Sequence, residues 1–204
     1  MIGAREAIVR LKEGNRRFVQ SLADGEVAQG LRTIALALEQ NPSAIILGCS
    51  DARVPAEIVF DQGPGELFVI RVAGNIVSPS QVGSVEFAAE RFGTRLVVVL
   101  GHTRCGAIQA TIEDLTQGDA GHSRHLLSIV DRIRPSVAPL LQTGLVNDLE
   151  RLSRLAVRAN VAVSVNHLRH GSEVLERLIR TEDLLVVGAE YAIETGVVEF
   201  LDGV

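Results

Sequence analysis

LVVVLGHTRCGAIQATIEDLT, residues 96–116, is the stretch on which the fold turns. Its first five residues are aliphatic, mostly branched and without polar alternation. That pattern fits a strand buried on both faces, as in a parallel sheet covered by helices. The segment 105–116 that follows reads as a helix. Three similar runs lie at 44–47 (AIIL), 67–70 (LFVI) and 184–187 (LLVV). A helix is expected over 79–92, with Pro79 in its first turn and Val82, Val85, Phe87, Ala88 and Ala89 behind it. Strand, helix, strand in succession predicts an α/β fold: a central, mostly parallel β-sheet flanked by helices.

Residues 4–20 carry Ala7, Ile8, Leu11, Phe18 and Val19 among charges, a helical pattern that ends at the turn signals Asp24 and Gly25. A short helix is expected over 31–39. The stretch 123–180 reads as largely helical, with Pro135 and Pro139 breaking it early and 145–160 strongly amphipathic.

The 204 residues show no repeat, linker or shift in composition, so a single domain over 1–204 is expected. The net charge of -5 and the scarcity of aromatics, with one Tyr and no Trp, argue against nucleic acid as a partner. No apolar run approaches the ~20 residues a membrane span needs. The first residues mix acids and bases and do not read as a signal peptide, which makes the cytoplasm the expected location. In a reducing compartment the only two cysteines, Cys49 and Cys105, are better explained as ligands, nucleophiles or buried apolar residues than as a disulfide.

Both cysteines follow strands, where ligands of open α/β sheets gather. After the strand at 44–47 comes Cys49, with Asp51 and Arg53 at alternate positions; after the strand at 96–100 come His102 and Cys105. Two thiols, an imidazole and a carboxylate are a donor set for zinc. A structural zinc usually takes four ligands in closely spaced pairs, whereas this pattern offers three clear ligands and leaves a fourth position open or exchangeable. The zinc site is therefore expected at the carboxyl ends of the strands.

Blander readings compete. A single Cys beside a strand is often an inert core residue, yet an inert Cys needs neither His102 nor the charged Asp51 and Arg53 beside it. His122 with His125, and His167 with His170, read better as solvated helix residues than as ligands. Gly63-Pro64-Gly65 is a turn. Ser50 nearly completes a nucleophile elbow, but Ala52 stands where the last glycine belongs. A non-catalytic zinc or thiol module would have no use for the Asp51 and Arg53 pair.

At these residues the chain resembles the β-class carbonic anhydrases. LKEGNRRF at 11–18, CSDARVPAE at 49–57, PGELFVIRVAGN at 64–75, SVEFA at 84–88, GHTRCGA at 101–107 and VVGAEYAIETGVVEF at 186–200 carry the resemblance over nearly the whole chain. It implies one zinc per subunit held by Cys49, His102 and Cys105, with Asp51 and Arg53 as the catalytic pair and Asp51 an exchangeable fourth ligand. It implies reversible hydration of carbon dioxide to bicarbonate by zinc-bound hydroxide, in a homodimer or homotetramer. Gln40 falls where family members place a glutamine facing the substrate, and Phe68, Ala73 and Phe87 fall at positions lining its apolar pocket, part of which a second subunit supplies. Carbon disulfide or carbonyl sulfide, similar in shape, remains open as the substrate of such a site. Two departures stand out. Ala52 replaces a serine frequent in the family motif, and Ile46 occupies a Trp position of the inhibitory bicarbonate site that Arg71 and Tyr191 would otherwise complete.

Overall fold

The computed structural model describes residues 2–24, 40–118 and 123–201. Five strands form one sheet in the order β2-β1-β3-β4-β5: β1 (Ala44–Gly48), β2 (Leu67–Arg71), β3 (Leu96–His102), β4 (Leu185–Tyr191) and β5 (Val198–Phe200). The first four are parallel, and β5 runs antiparallel to β4. Every residue of β1 and β3 is buried. Successive side chains leave a strand on opposite faces, so an aliphatic run without alternation requires cover on both sides.

Helices provide it. On one face Ile46, Val98, Leu100, Val187 and Ala189 meet Ala7, Ile8 and Leu11 of α1 (Ala4–Ala23) and Ala56 and Val59 of α2 (Ala56–Val59). On the other, Ile45, Leu47, Val97, Val99 and Val186 meet α3 (Pro79–Arg91), α6 (Leu149–His170) and α7 (Glu173–Thr181). A third apolar cluster caps the carboxyl end of the sheet, where α4 (Gly106–Gln117), α5 (Arg124–Leu141) and α6 enclose Cys49 and Cys105.

The strand order places the site. From β1 the chain crosses to β2 by way of α2 on one face, then returns past β1 to β3 by way of α3 on the other. The carboxyl ends of β1 and β3 are thus neighbours whose connections leave in opposite directions, the switch point where an open sheet forms a crevice.

One sequence expectation changes. Pro135 and Pro139 do not break α5, which runs through both. Four residues apart, they share a single exposed face, while Val130, Ile133 and Val137 keep the opposite face buried. Strand β5, with three residues, was too short to read. The helix expected over 31–39, and His122, lie outside the described residues. Among the described residues no helix is long and apolar enough to cross a membrane.

The LKEGNRRF run shows its purpose here. Gly14 lies so close to α2 that a Cβ would fall 1.8 Å from the Phe60 carbonyl oxygen. Beside it the buried Asn15 donates to the Val59 and Gly196 carbonyls at 3.0 and 2.8 Å and accepts from Val198 N–H at 2.9 Å. Gly14→Ala is expected to lift α1 off the sheet, costing about 2–3 kcal/mol as overpacking does, measured as a lower urea midpoint. An unchanged midpoint would mean that α1 does not pack this way in solution.

Candidate metal centre

Cys49 stands one residue beyond β1, His102 is the last residue of β3, and Cys105 caps the N-terminus of α4. Cys49, His102 and Cys105 are 5%, 0% and 1% exposed, too enclosed for accidental surface neighbours. Their ligand atoms all lie within 4.8 Å of one another. A tetrahedral zinc with bonds of about 2.0–2.3 Å sets its ligands about 3.5–3.8 Å apart, so closing on an ion needs only small side-chain rotations.

The imidazole is already oriented for that role. His102 Nδ1 lies 2.9 Å from the Thr103 carbonyl oxygen, which accepts a hydrogen bond from Nδ1–H and leaves Nε2 with a free lone pair. Nε2 is buried without a hydrogen-bond partner. A buried polar atom of that kind is costly unless something occupies it, and a metal ion between it and two thiols is a fitting occupant.

The thiols are prepared for charge. A hydrogen bond from Cys105 lowers the pKa of the Cys49 thiol, helped by the Gly74 N–H, which donates to Cys49 Sγ at 3.3 Å. The same bond, then burial, pushes Cys105 up. One thiolate thus forms readily and opposes the second, and a dication removes that opposition.

Asp51 Oδ2 lies 4.0 Å from His102 Nε2, facing the same space. Arg53 grips this carboxylate: its backbone N–H and Nε donate to Oδ1 at 3.0 and 2.9 Å, and Nη2 donates to Oδ2 at 2.7 Å. Chiefly through these side-chain bonds, Arg53 holds the Asp51 carboxyl well below the usual carboxylate range. Ala52 sits exposed in the same turn.

Several residues that hold the site had no local signal. Arg71 ends β2 and donates from Nε to the Cys49 carbonyl at 3.0 Å and from Nη2 to the Asp51 carbonyl at 2.6 Å, fastening the first ligand loop. Gly74, at φ 71°, turns its N–H onto Cys49, and a Cβ there would meet Ile133 Cδ1 at 2.7 Å. Asn160 and Ser164 of α6 donate to the carbonyls of Gly74 and Asn75, at 2.8 and 3.0 Å. On the other side Glu194 accepts from the Thr103 hydroxyl and pairs with Arg104.

The expected pocket residues separate into two groups. Ala73 is half-buried and precedes Gly74, whose N–H reaches Cys49 Sγ. Phe68 pairs in register with Ile45, four residues before Cys49 and so about 13 Å back along the strand. There it packs with Phe87 and Phe92, ring centroids 5.7–6.2 Å apart. Within one chain Phe68 and Phe87 therefore do not join the three ligands. Gln40 is exposed and belongs to no helix or strand. A cavity of about 1020 Å³ adjoins the site on its β4 side and touches Cys105, Arg104 and Glu190, but not Cys49, Asp51 or His102.

Three buried sulfur and nitrogen donors, with an arginine-held carboxylate facing them at the switch point of a parallel sheet, define the class: an α/β protein with a candidate mononuclear metal centre. The family model described as carbonic anhydrase matches residues 44–198. Carbonic anhydrase 2 of Mycobacterium tuberculosis is 36% identical over 188 residues, covering 91% of this chain and 87% of that protein. The carbonic anhydrase of Mycolicibacterium smegmatis is 36% identical over 192 residues, covering 93% and 89%. Among solved structures, the β-carbonic anhydrase of Coccomyxa superposes with a TM-score of 0.67 at 25% identity, covering 93% of this chain and 83% of that one. A tetrameric β-carbonic anhydrase of Sordaria macrospora reaches 0.72 at 22% identity, covering 92% and 98%. The chain belongs to the carbonic anhydrase family, in its β class.

Proposed function

We propose that the protein is a single-domain enzyme over residues 1–204 that catalyses the reversible hydration of carbon dioxide to bicarbonate and a proton. The observation that carries this reading is the unpartnered His102 Nε2, converging with Cys49 and Cys105 on a point that the Asp51 carboxylate also faces. In this reading Cys49, His102 and Cys105 would hold one zinc ion, whose chemistry there would be to lower the pKa of water.

The remaining work falls to the chain. Arg53 holds Asp51 back from the ligand set, and Asp51 Oδ2 keeps a lone pair facing the reaction space. An oxygen nucleophile there would donate a hydrogen bond to Oδ2, which aims the nucleophile's own lone pair at the carbon of the substrate. Arg71 and Gly74 hold Cys49 and Asp51 still while this happens. Asp51 is ionised throughout the neutral range, so pH dependence above pH 6 does not come from it.

The charge of two thiolates weakens the acidifying effect relative to three neutral imidazoles. The value of kcat/KM is therefore expected to rise from about pH 6 to about pH 9, followed by stopped-flow hydration in matched buffers. A flat profile over that interval would contradict the ligand assignment.

The reading extends to a homo-oligomer in the cytoplasm. Phe87 is 54% exposed in an aromatic group with Phe68 and Phe92, suited to completing the pocket of a second subunit, with Gln40 and Ala73 lining the first. Tetramers described in Sordaria macrospora agree with it. Two free cysteines suit a reducing compartment. The deciding experiment is stopped-flow carbon dioxide hydration by protein of measured zinc content. Zinc-loaded protein that does not outpace buffer would end this reading.

A further inference from the structure

Glu194 lies in the turn between β4 and β5, outside the ligand set and the Asp51 and Arg53 pair, and both of its carboxylate oxygens are committed to the loop that separates His102 from Cys105. Oε2 accepts from the Thr103 hydroxyl at 2.7 Å, and Oε1 lies 2.7 Å from Arg104 Nε. Thr103 Oγ1 accepts in turn from Ile193 N–H at 3.0 Å, and Thr103 N–H donates to the Tyr191 carbonyl at 3.0 Å. Loop and turn are thereby stitched together at four points.

Arg104 sits at the centre of this arrangement with φ 55°, a left-handed conformation that a non-glycine residue keeps only when its surroundings hold it. With the backbone so turned, the Arg104 carbonyl accepts from Arg53 Nη2 at 3.3 Å. That same Nη2 donates to Asp51 Oδ2 at 2.7 Å. The Arg53 side chain is 51% exposed, so burial does little to immobilise it, and the Arg104 carbonyl gives the nitrogen that holds Asp51 Oδ2 a second acceptor.

We propose that Glu194 is a positioning residue for the Asp51 and Arg53 pair, acting through the Arg104 backbone carbonyl. The proposal rests on the reading above in which Asp51 orients the nucleophile. As a stabilising ion pair the contact has little value, since Arg104 is 73% and Glu194 40% exposed. Its consequence is geometric: it holds a left-handed residue whose carbonyl reaches the guanidinium that restrains the carboxylate.

The test uses the zinc-loaded full chain with Glu194→Ala, Glu194→Gln and Arg104→Ala, the last cutting the same grip from the other side while keeping the carbonyl. The first readout is independent of turnover: the proton–nitrogen spectrum of arginine Nε–H groups, with the Arg53 signal identified by its loss in Arg53→Ala. In Glu194→Ala and Arg104→Ala that signal is expected to shift and exchange faster with water, while zinc stays at one per chain. In hydration assays Glu194→Ala is expected to lose about fivefold in kcat/KM, the scale of one exposed charged contact. Glu194→Gln, which keeps an acceptor for Thr103, recovers part of the loss. Added to Arg53→Ala, Glu194→Ala should cost nothing further, because its route is already cut. An Arg53 signal unmoved by both variants overturns the proposal. So does an equal loss in both backgrounds, or a loss that tracks missing zinc. If zinc-loaded wild-type protein fails to hydrate carbon dioxide while the Arg53 signal still answers to Glu194, the functional reading falls and the positioning role stands.

Discussion

Replacing Cys105 with alanine is expected to take zinc from one per chain to near zero and carbon dioxide hydration to the uncatalysed background. Cys105 is one of three ligand atoms within 4.8 Å of one another, and removing it leaves one sulfur and one nitrogen. Asp51 cannot replace it cheaply, because its carboxylate is held by three donor groups of Arg53. Two protein ligands do not retain zinc against a chelator as three do. The fold should survive, since Cys105 lies among Ile108, Ile112, Ile133 and Val137, and alanine leaves that apolar cluster in place. Elemental analysis after dialysis against chelator, with circular dichroism as the control, gives the answer. Full zinc retention by folded Cys105→Ala protein would disprove the assigned ligand set.

Asp51→Asn is expected to keep zinc at one per chain and to lose about 10²–10³-fold in kcat/KM, the range for removing one preorganised hydrogen-bond partner of the reacting group. The amide has nearly the same shape. Its oxygen can accept from Arg53 N–H and Nε as Oδ1 does, but its NH₂ then stands where Oδ2 was, facing Arg53 Nη2 donor to donor. It can no longer accept a hydrogen bond on the side toward His102. Activity within about twofold of wild type would remove Asp51 from the mechanism, and loss of zinc with activity would make it a ligand instead.

The separation between these two effects, one on metal and one on rate alone, follows from where the residues stand. His102 and Cys105 belong to the end of β3 and the start of α4, elements covered by α5 and α6. Asp51 belongs to a turn whose position is kept by Arg53 and Arg71. Disturbing the turn leaves the ligands where they were.

Much of this was legible in the residues alone, for two physical reasons. A strand covered on both faces needs aliphatic residues at every position, so the runs at 44–47, 67–70, 96–100 and 184–187 announced a parallel sheet between helices. A chain with two cysteines that sets each beside a strand end, one near a histidine and one near an Asp and Arg pair, spends its rare donor types in one region. Local pattern carried both signals.

What local pattern does not carry is which distant groups meet. Arg71 reaches across 22 residues to the Cys49 carbonyl, and Glu194 across 91 to the Thr103 hydroxyl. Such contacts exist only because strand order makes the ends of β1, β2, β3 and β4 neighbours. Pro135 and Pro139 break helices by their own chemistry, yet α5 persists because packing of its other face outweighs two missing hydrogen bonds. Phe68 and Phe87 occupy promising positions in the chain and still fall far from Cys49, because β2 runs past that depth before its end. Residue types settle what chemistry is available, and the sheet settles which of it converges, because convergence depends on through-space distances that sequence separation does not encode.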